Sequence, residues 1–341
     1  MPKYAVLLAP GHNRVYFEES KKLAISELEI AALKIRSKLK NYKLSDIAGI
    51  DYITFESDDA LSGIDLNIIS RLSFVYALYE LSDLNGSFSL KPIAKDAVQV
   101  FDTDIGGMLK YSGKTNELFT KMMINTALNS CDCAEASRTR LLDPVAGKGT
   151  TLFEAAMMGI DAYGIEISSK LVSESQVFFK KFLEKARFKH TYAREKTQSM
   201  SIHKFEFAKT KEDMKSAAHT LVMADGDAKY TGKCFKKDFF DIITGDLPYG
   251  IAHGNKSSDA RASKTRSPGE LLSECLPHWR DVLKPGGAIV LSWNAFVLPK
   301  EPLREILRGA GFRVLEGGPY ERFAHRVDQA IKRDVAAATK P

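Results

Sequence analysis

The chain is 341 residues long and is poor in the residues that would place it in several common classes. It has only four cysteines, too few for a disulfide framework at this length. Cys131 and Cys133 form a C-x-C without the second pair that a structural zinc site needs, so the thiols read as reduced and cytosolic. None of the seven histidines, His253 and His278 included, falls in an H-E-x-x-H or related spacing, and no metal is expected. No run approaches the roughly 18 apolar residues that would span a bilayer. Tyr4 to Ala9 is too short for a signal segment and runs into Pro10-Gly11, so a soluble, cytoplasmic protein with no membrane partner is expected. No internal repeat is visible. With 44% hydrophobic and 27% charged residues, a disordered or low-complexity chain is excluded.

The charge is unevenly divided. Residues 1–100 carry 12 Lys and Arg against 13 Asp and Glu, whereas residues 101–341 carry 37 against 30. A polyanion is therefore a candidate partner for the second part, although a surplus of this size also fits a solvated surface.

The first part reads as a small α+β unit: a strand at Tyr4 to Ala9, a helix from Glu18 to Lys40, a strand at Asp51 to Phe55, a helix at Leu66 to Arg71 and an apolar stretch at Phe74 to Leu81. Glycine and proline loosen the pattern from Asn85 to Gly113, which predicts a connection and a domain boundary near residue 100. Beyond it, apolar segments at 141–143, 162–166, 220–224, 240–244 and 288–292 alternate with helical stretches near 116–129, 150–159, 168–187, 270–283 and 300–310. This alternation predicts a doubly wound parallel α/β sheet with its ligand at the carboxyl ends of the strands. Residues 186–218 and 253–268 interrupt it and read as exposed loops. Phe178 to Phe182 mixes aromatic and basic residues, which a helix would turn into its core.

The segment Leu141 to Thr151 joins a strand to a helix through Asp143-Pro144-Val145-Ala146-Gly147-Lys148-Gly149-Thr150. A P-loop needs a glycine five residues before Gly147 and a Lys-Ser/Thr pair after it, and both are missing. A dinucleotide fingerprint needs a third glycine where Leu152 stands. The D-P-x-x-G-x-G-T turn that holds S-adenosylmethionine in class I methyltransferases fits without a mismatch. Asp143 can then accept a hydrogen bond or hold the cofactor's amino group, with Pro144, Ala146, Gly147, Gly149 and Thr150 shaping the turn. Glu166, which ends the next strand, suits the ribose hydroxyls. Asp225, which ends the strand after that, suits the adenine amino group; a plain strand-end turn is the simpler alternative for each.

Asp246-Leu247-Pro248-Tyr249-Gly250 terminates the fourth predicted strand, counting from 141–143. The chain here resembles the class I methyltransferases that alkylate exocyclic amines through a [DNS]-P-P-[YFW] motif. Among them it is similar to the tRNA guanine methyltransferases related to the THUMP-domain RNA methylases, with Leu247 in place of the first proline. Ser112 to Thr120, the D-P-x-x-G-x-G-T turn and Leu283-Lys-Pro-Gly-Gly-Ala-Ile-Val-Leu291 join the resemblance, which covers about 101–341. It implies a Rossmann-like class I methyltransferase domain over 101–341, preceded by an N-terminal α+β domain over 1–100 that is a candidate for positioning RNA.

The resemblance further implies S-adenosyl-L-methionine as cofactor and a guanosine of RNA, tRNA first, as methyl acceptor. An aromatic exocyclic amine is a weak nucleophile, because its lone pair is delocalised; the catalyst must hold it in line and draw its hydrogens aside. The Asp246 carboxylate and the Leu247 carbonyl can accept those hydrogens, Pro248 stiffens the turn and Tyr249 can stack on the base. Asp246 also borders the cofactor. Lys256, Arg261, Lys264 and Arg266 are candidates for phosphate contacts, as are Arg322, His325 and Arg326, which a solvated surface would explain equally. A DNA adenine or cytosine amino-methyltransferase and an RNA-binding homologue without turnover are the alternatives.

Overall fold

The computed structural model describes residues 1–10, 14–84, 87–95, 99–101, 105–108, 114–133, 138–197, 200–248 and 267–341. The first elements are β1 (Lys3–Leu8), α1 (Arg14–Ala31), β2 (Leu39–Ile47), β3 (Ile50–Ser57), α2 (Gly63–Ser70), β4 (Val75–Leu84) and β5 (Ser87–Ile93). They build an antiparallel sheet in the order β2-β3-β1-β4-β5. Leu28, Ala31, Ile53, Phe55 and Ile69 are buried in one apolar cluster between this sheet and its two helices. Ser62 and Asp65 form a capping box that starts α2.

Two expectations about residues 1–113 need correction. The first helix does not reach Lys40: the amides of Leu33 and Lys34 bond back three residues, to Ile30 and Ala31, and Leu33 is exposed. Ile35 and Leu39 are buried after the chain has left the helix, and Leu39 opens β2 against Ser57. Apolar spacing alone did not distinguish a longer helix from a helix, a turn and a strand. The loose stretch after Asn85 contains β5, paired to β4, and the short helix α3 (Ile105–Met108).

The second part comprises α4 (Glu117–Ser130), β6 (Arg140–Asp143), α5 (Thr150–Met157), β7 (Asp161–Glu166), α6 (Ser169–Lys185), β8 (Lys189–Lys196), β9 (Ser201–Ala208), α7 (Lys211–Ser216), β10 (His219–Asp225), α8 (Thr231–Cys234) and β11 (Phe240–Asp246). It continues with α9 (Pro268–Val282), β12 (Leu283–Asn294), α10 (Lys300–Gly309), β13 (Arg313–Leu315), β14 (His325–Arg326) and β15 (Lys332–Thr339). The sheet runs β13-β15-β12-β11-β6-β7-β10-β9-β8, with β14 paired to β15. Strands β12, β11, β6, β7 and β10 are parallel, and antiparallel strands flank them on both sides. This is the doubly wound, Rossmann-like arrangement expected.

Residues 186–218 are not a loop. They form the β8–β9 hairpin, which extends the sheet beyond β10, and α7. His203, Phe205 and Phe207 point inward at every second position of β9, with Lys204 and Glu206 between them; the many charged residues of the surrounding stretch mask this period-two pattern. Phe179 and Phe182 do pack into the core.

The two sheets are joined through α1 and α4. Glu27, on α1, is fully buried; it accepts hydrogen bonds from the Ser73 amide at 2.9 Å, from the Ser73 hydroxyl and from Asn125 Nδ2 of α4 at 2.8 Å. Burial pushes its carboxyl up, against the pull of these donors and of Lys121. Lys34 pairs with Asp132 and Arg322 with Glu29 across the same junction. No described helix is long and apolar enough to cross a membrane.

Candidate active site

The chain leaves β6 toward β7 on one side and returns to its other side with β11. At such a reversal the loops after neighbouring strands part and leave a crevice at the carboxyl ends. Four adjacent strands deliver an acidic residue there: Asp246 from β11, Asp143 from β6, Glu166 from β7 and Asp225 from β10.

The turn after β6 is held by its own backbone. Val145 N–H donates to Asp143 Oδ1 (3.0 Å), Ala146 N–H to the Ile165 carbonyl (2.9 Å) and Gly147 N–H to Glu166 Oε2 (2.9 Å). Gly149 opens α5 at φ +89°, and Gly147 lies at φ +54°, conformations that glycine adopts without steric cost. Gly164, beneath the turn, has no room for a side chain: a Cβ would come within 2.8 Å of Ala146 and 2.7 Å of Leu152. Pro144, Ala146 and Thr150 are buried and brace the turn.

Asp143 is 2% exposed. Burial pushes its carboxyl up to about 7; hydrogen bonds from Thr151 and Val145 oppose the shift, and the Asp246 and Glu166 carboxylates add to it. Burial likewise raises Glu166, although the amides of Ser168, Gly147 and Ile167 donate to it. Ser168 N–H meets Glu166 Oε1 at 2.8 Å. Asp225 lies opposite Glu166 in the strand register and accepts from Ser169 Oγ at 3.0 Å. Ile167, between these carboxylates in the chain, leaves 40% of its surface exposed. The arrangement offers a site for a cationic group at Asp143, acceptors for hydroxyls at Glu166 and an apolar surface beside them.

Asp246 is half-buried at the end of β11. Thr115 Oγ1 donates to its Oδ2 at 2.7 Å, Ser292 Oγ donates to its Oδ1, and Arg333 Nη2 lies 3.6 Å from Oδ2. The Arg333 guanidinium stacks on Phe119 at 4.5 Å from the ring centre. Both carboxylate oxygens are thereby fixed, while a carboxylate has about four lone-pair positions in all. Leu247 is buried; its N–H donates to the Ser292 carbonyl at 2.8 Å, a bond that proline could not make. Pro248 is exposed.

The expected residues Asp143, Glu166, Asp225, Asp246 and Leu247 thus come to one edge of the sheet. Tyr249, Lys256, Arg261, Lys264 and Arg266 lie outside the described residues. The candidates near the last strands are engaged elsewhere: Arg322 pairs with Glu29, Arg326 Nε donates to the Asp328 carbonyl, and His325 is buried with Nδ1 2.9 Å from the Phe323 carbonyl. Thr115, Ser292, Arg333 and Ile167 are additional. Ser292 stands opposite Asp246 in the β11–β12 register, and Thr115 lies in the segment already singled out, whereas no local pattern marks Arg333. No group of three or more His, Cys, Asp or Glu among the described residues is placed to hold a metal ion.

The sequence model of the UPF0020 family, described as an RMKL-like methyltransferase domain, matches residues 120–300. No curated protein matches the chain. Among solved structures, TrmN from Thermus thermophilus is 12% identical with both chains fully covered and a TM-score of 0.46. An rRNA methylase from Streptococcus thermophilus is 9% identical, covering 60% of this chain and 87% of its own, with a TM-score of 0.35. A TehB-like S-adenosylmethionine-dependent methyltransferase from Corynebacterium glutamicum is 14% identical, covering 60% and 83%, at a TM-score of 0.35. The matched stretch takes in the turn, all four strand-end carboxylates and the strand that carries Ser292. The chain belongs to the RMKL-like methyltransferase family and is a class I methyltransferase with S-adenosylmethionine as its cofactor.

Proposed function

We propose that the protein methylates the exocyclic 2-amino group of a guanosine in RNA, with tRNA as the substrate class. The observation that carries this reading is the Asp246 carboxylate, pinned by Thr115, Ser292 and Arg333 at the strand end beside the turn that begins at Asp143. The cofactor supplies a methyl group on a sulfonium. Asp143 receives its amino group, Glu166 its ribose hydroxyls and Asp225 the adenine amine, with Ile167 against the adenine face. The turn from Pro144 to Thr150 sets the distance of backbone approach.

Asp246 and the Leu247 carbonyl accept the two hydrogens of the target amine and hold its nitrogen in line for transfer. Asp246 can also take the proton, although its loss to water from the cationic product needs no strong base. Tyr249 stacks on a base that has left its helix. The N-terminal sheet, residues 1–100, positions the RNA, and the basic surplus of 101–341 meets its phosphates.

A single-turnover assay with methyl-labelled cofactor, total tRNA and the full chain tests this, with mass spectrometry of the nucleosides. The expected product is N2-methylguanosine. Asp246→Asn should slow the chemical step about a hundredfold to a thousandfold, the usual cost of one oriented polar contact at a reacting centre, and weaken cofactor binding far less. Label that survives ribonuclease and yields to deoxyribonuclease would move the assignment to DNA; cofactor binding without any transfer would make the protein an RNA-binding homologue.

A further inference from the structure

At the opposite edge of the large sheet, where β6 and β11 begin, a groove of about 840 Å³ separates α2 from the end of α4. Its walls come from both sheets. Arg71, Lys34 and Arg36 contribute from the N-terminal side; Asn129, Asp132 and Asp241 contribute from the other. The two carboxylates are already matched: Asp132 pairs with Lys34 at 2.6 Å, and Asp241 pairs with Lys284 and accepts the Arg140 amide at 2.8 Å. Arg36 is exposed at the rim.

Arg71 differs from the other cations. It caps the C-terminus of α2 and its carbonyl accepts Asn125 Nδ2 at 2.9 Å, which fixes its backbone at the junction of the two sheets. Its Nε is buried without a hydrogen-bond partner, and its guanidinium makes no ion pair with any described residue. Burial lowers its pKa, with no carboxylate among the described residues offsetting the effect. A desolvated guanidinium without a counter-charge is costly, and its planar fork matches two oxygens of a phosphate.

We infer that this groove is a phosphate-binding site, with the half-buried Arg71 as its anchor and Arg36 at its rim. The ligand is a phosphate group. An RNA phosphodiester is favoured, since the groove is open and bounded by both parts of the chain; this preference rests on the RNA reading above, whereas the phosphate site does not. The groove lies at the amino ends of the strands, so an RNA bound here would be gripped at a point separate from the methylated base.

The test compares the full chain with Arg71→Gln, which removes the charge and keeps a hydrogen-bonding side chain, and with Arg36→Gln, at the exposed rim. Pyrophosphate binding is read by calorimetry and tRNA binding by fluorescence anisotropy across a salt series. Arg71→Gln is expected to weaken pyrophosphate at least tenfold and to reduce the tRNA salt slope by about one, the share of one phosphate contact. Cofactor affinity should stay unchanged. If Arg71→Gln does not fold, Arg36→Gln carries the test, with a smaller loss expected in the same two readouts. Pyrophosphate binding without tRNA binding would support a free phosphate as ligand and overturn only the RNA preference. A parent protein that binds neither probe, or a folded variant that binds both like the parent with the same salt slope, would overturn the site.

Discussion

If Asp143 holds the cofactor's amino group, cofactor capture should depend on pH. Its carboxyl is held at about 7 in the folded chain, chiefly by burial, against an ordinary value of 3.8. A carboxyl raised in this way stays protonated in the folded chain after it has ionised in the unfolded one. Stability is therefore lost as pH rises from about 4 to about 7, by roughly 4 kcal/mol from this residue, since each pKa unit is worth about 1.4 kcal/mol. If the ionised carboxylate holds the cofactor's amino group, binding must expel the proton. The apparent dissociation constant then scales as one plus the protonated-to-ionised ratio, and it should fall about tenfold between pH 6 and pH 8. Near pH 7 about half a proton should be released per cofactor bound.

Calorimetry in two buffers of different ionisation enthalpy measures both quantities on the same protein. Asp143→Asn is the control. It should bind about tenfold or more weakly at pH 8, the loss expected for a charge-assisted hydrogen bond, approach the parent at pH 6, and release no proton from this site. The difference between the two pH profiles isolates Asp143 from titration of the cofactor itself. A parent whose affinity is flat from pH 6 to pH 8 after that subtraction, with no proton released, would refute the assignment of the amino group to Asp143.

Two further predictions concern positions where the chain departs from expectation. Leu247→Pro restores the commoner motif but deletes the N–H that reaches the Ser292 carbonyl and empties a buried leucine site; it should cost about 2–4 kcal/mol in denaturant unfolding, and a variant as stable as the parent would show that this bond and packing contribute little. Glu27→Gln keeps an acceptor for the Ser73 amide and Asn125 and gains a donor for the Ser73 hydroxyl. Because burial raises the Glu27 carboxyl, the parent loses stability as pH rises through and above the ordinary carboxylate range. The variant should therefore melt higher than the parent at pH 8 and match it near pH 4, and a lower melting temperature at pH 8 would contradict this.

The sequence made the repeated strand–helix order and the glycine turn legible because both depend on neighbours in the chain. A run such as Ile242-Ile243 must be buried on both faces, and Gly147 and Gly149 mark a turn whose backbone takes the left-handed conformation. The β8–β9 hairpin was not legible: Phe205 and Phe207 point inward, but the charged residues of both strands, among them Lys189, Arg194, Lys196, Lys204 and Glu206, dominate the composition of that stretch. Apolar spacing overextends the first helix for a related reason, since Ile35 and Leu39 continue the pattern although a turn and a new strand bury them.

The surroundings of Asp246 expose a deeper limit. The residue itself could be found from the chain, because its motif is contiguous, yet the groups that fix it come from 131 residues before it, at Thr115, and 46 residues after it, at Ser292. Ser292 follows from register once β11 and β12 are taken as parallel neighbours, for the strand-end positions must then face each other. Arg333 follows from no local rule, since it lies on the antiparallel β15 and reaches the carboxylate over the Phe119 ring. The substitution at Leu247 belongs to the same register. A proline there would leave the Ser292 carbonyl without its donor, whereas leucine extends the bonding between β11 and β12 by one residue into the motif. The turn that carries Asp246 is therefore tied to the neighbouring strand twice, through the backbone at Leu247 and through the Ser292 side chain at Asp246, and the rigidity that proline would give the motif is supplied here by the sheet.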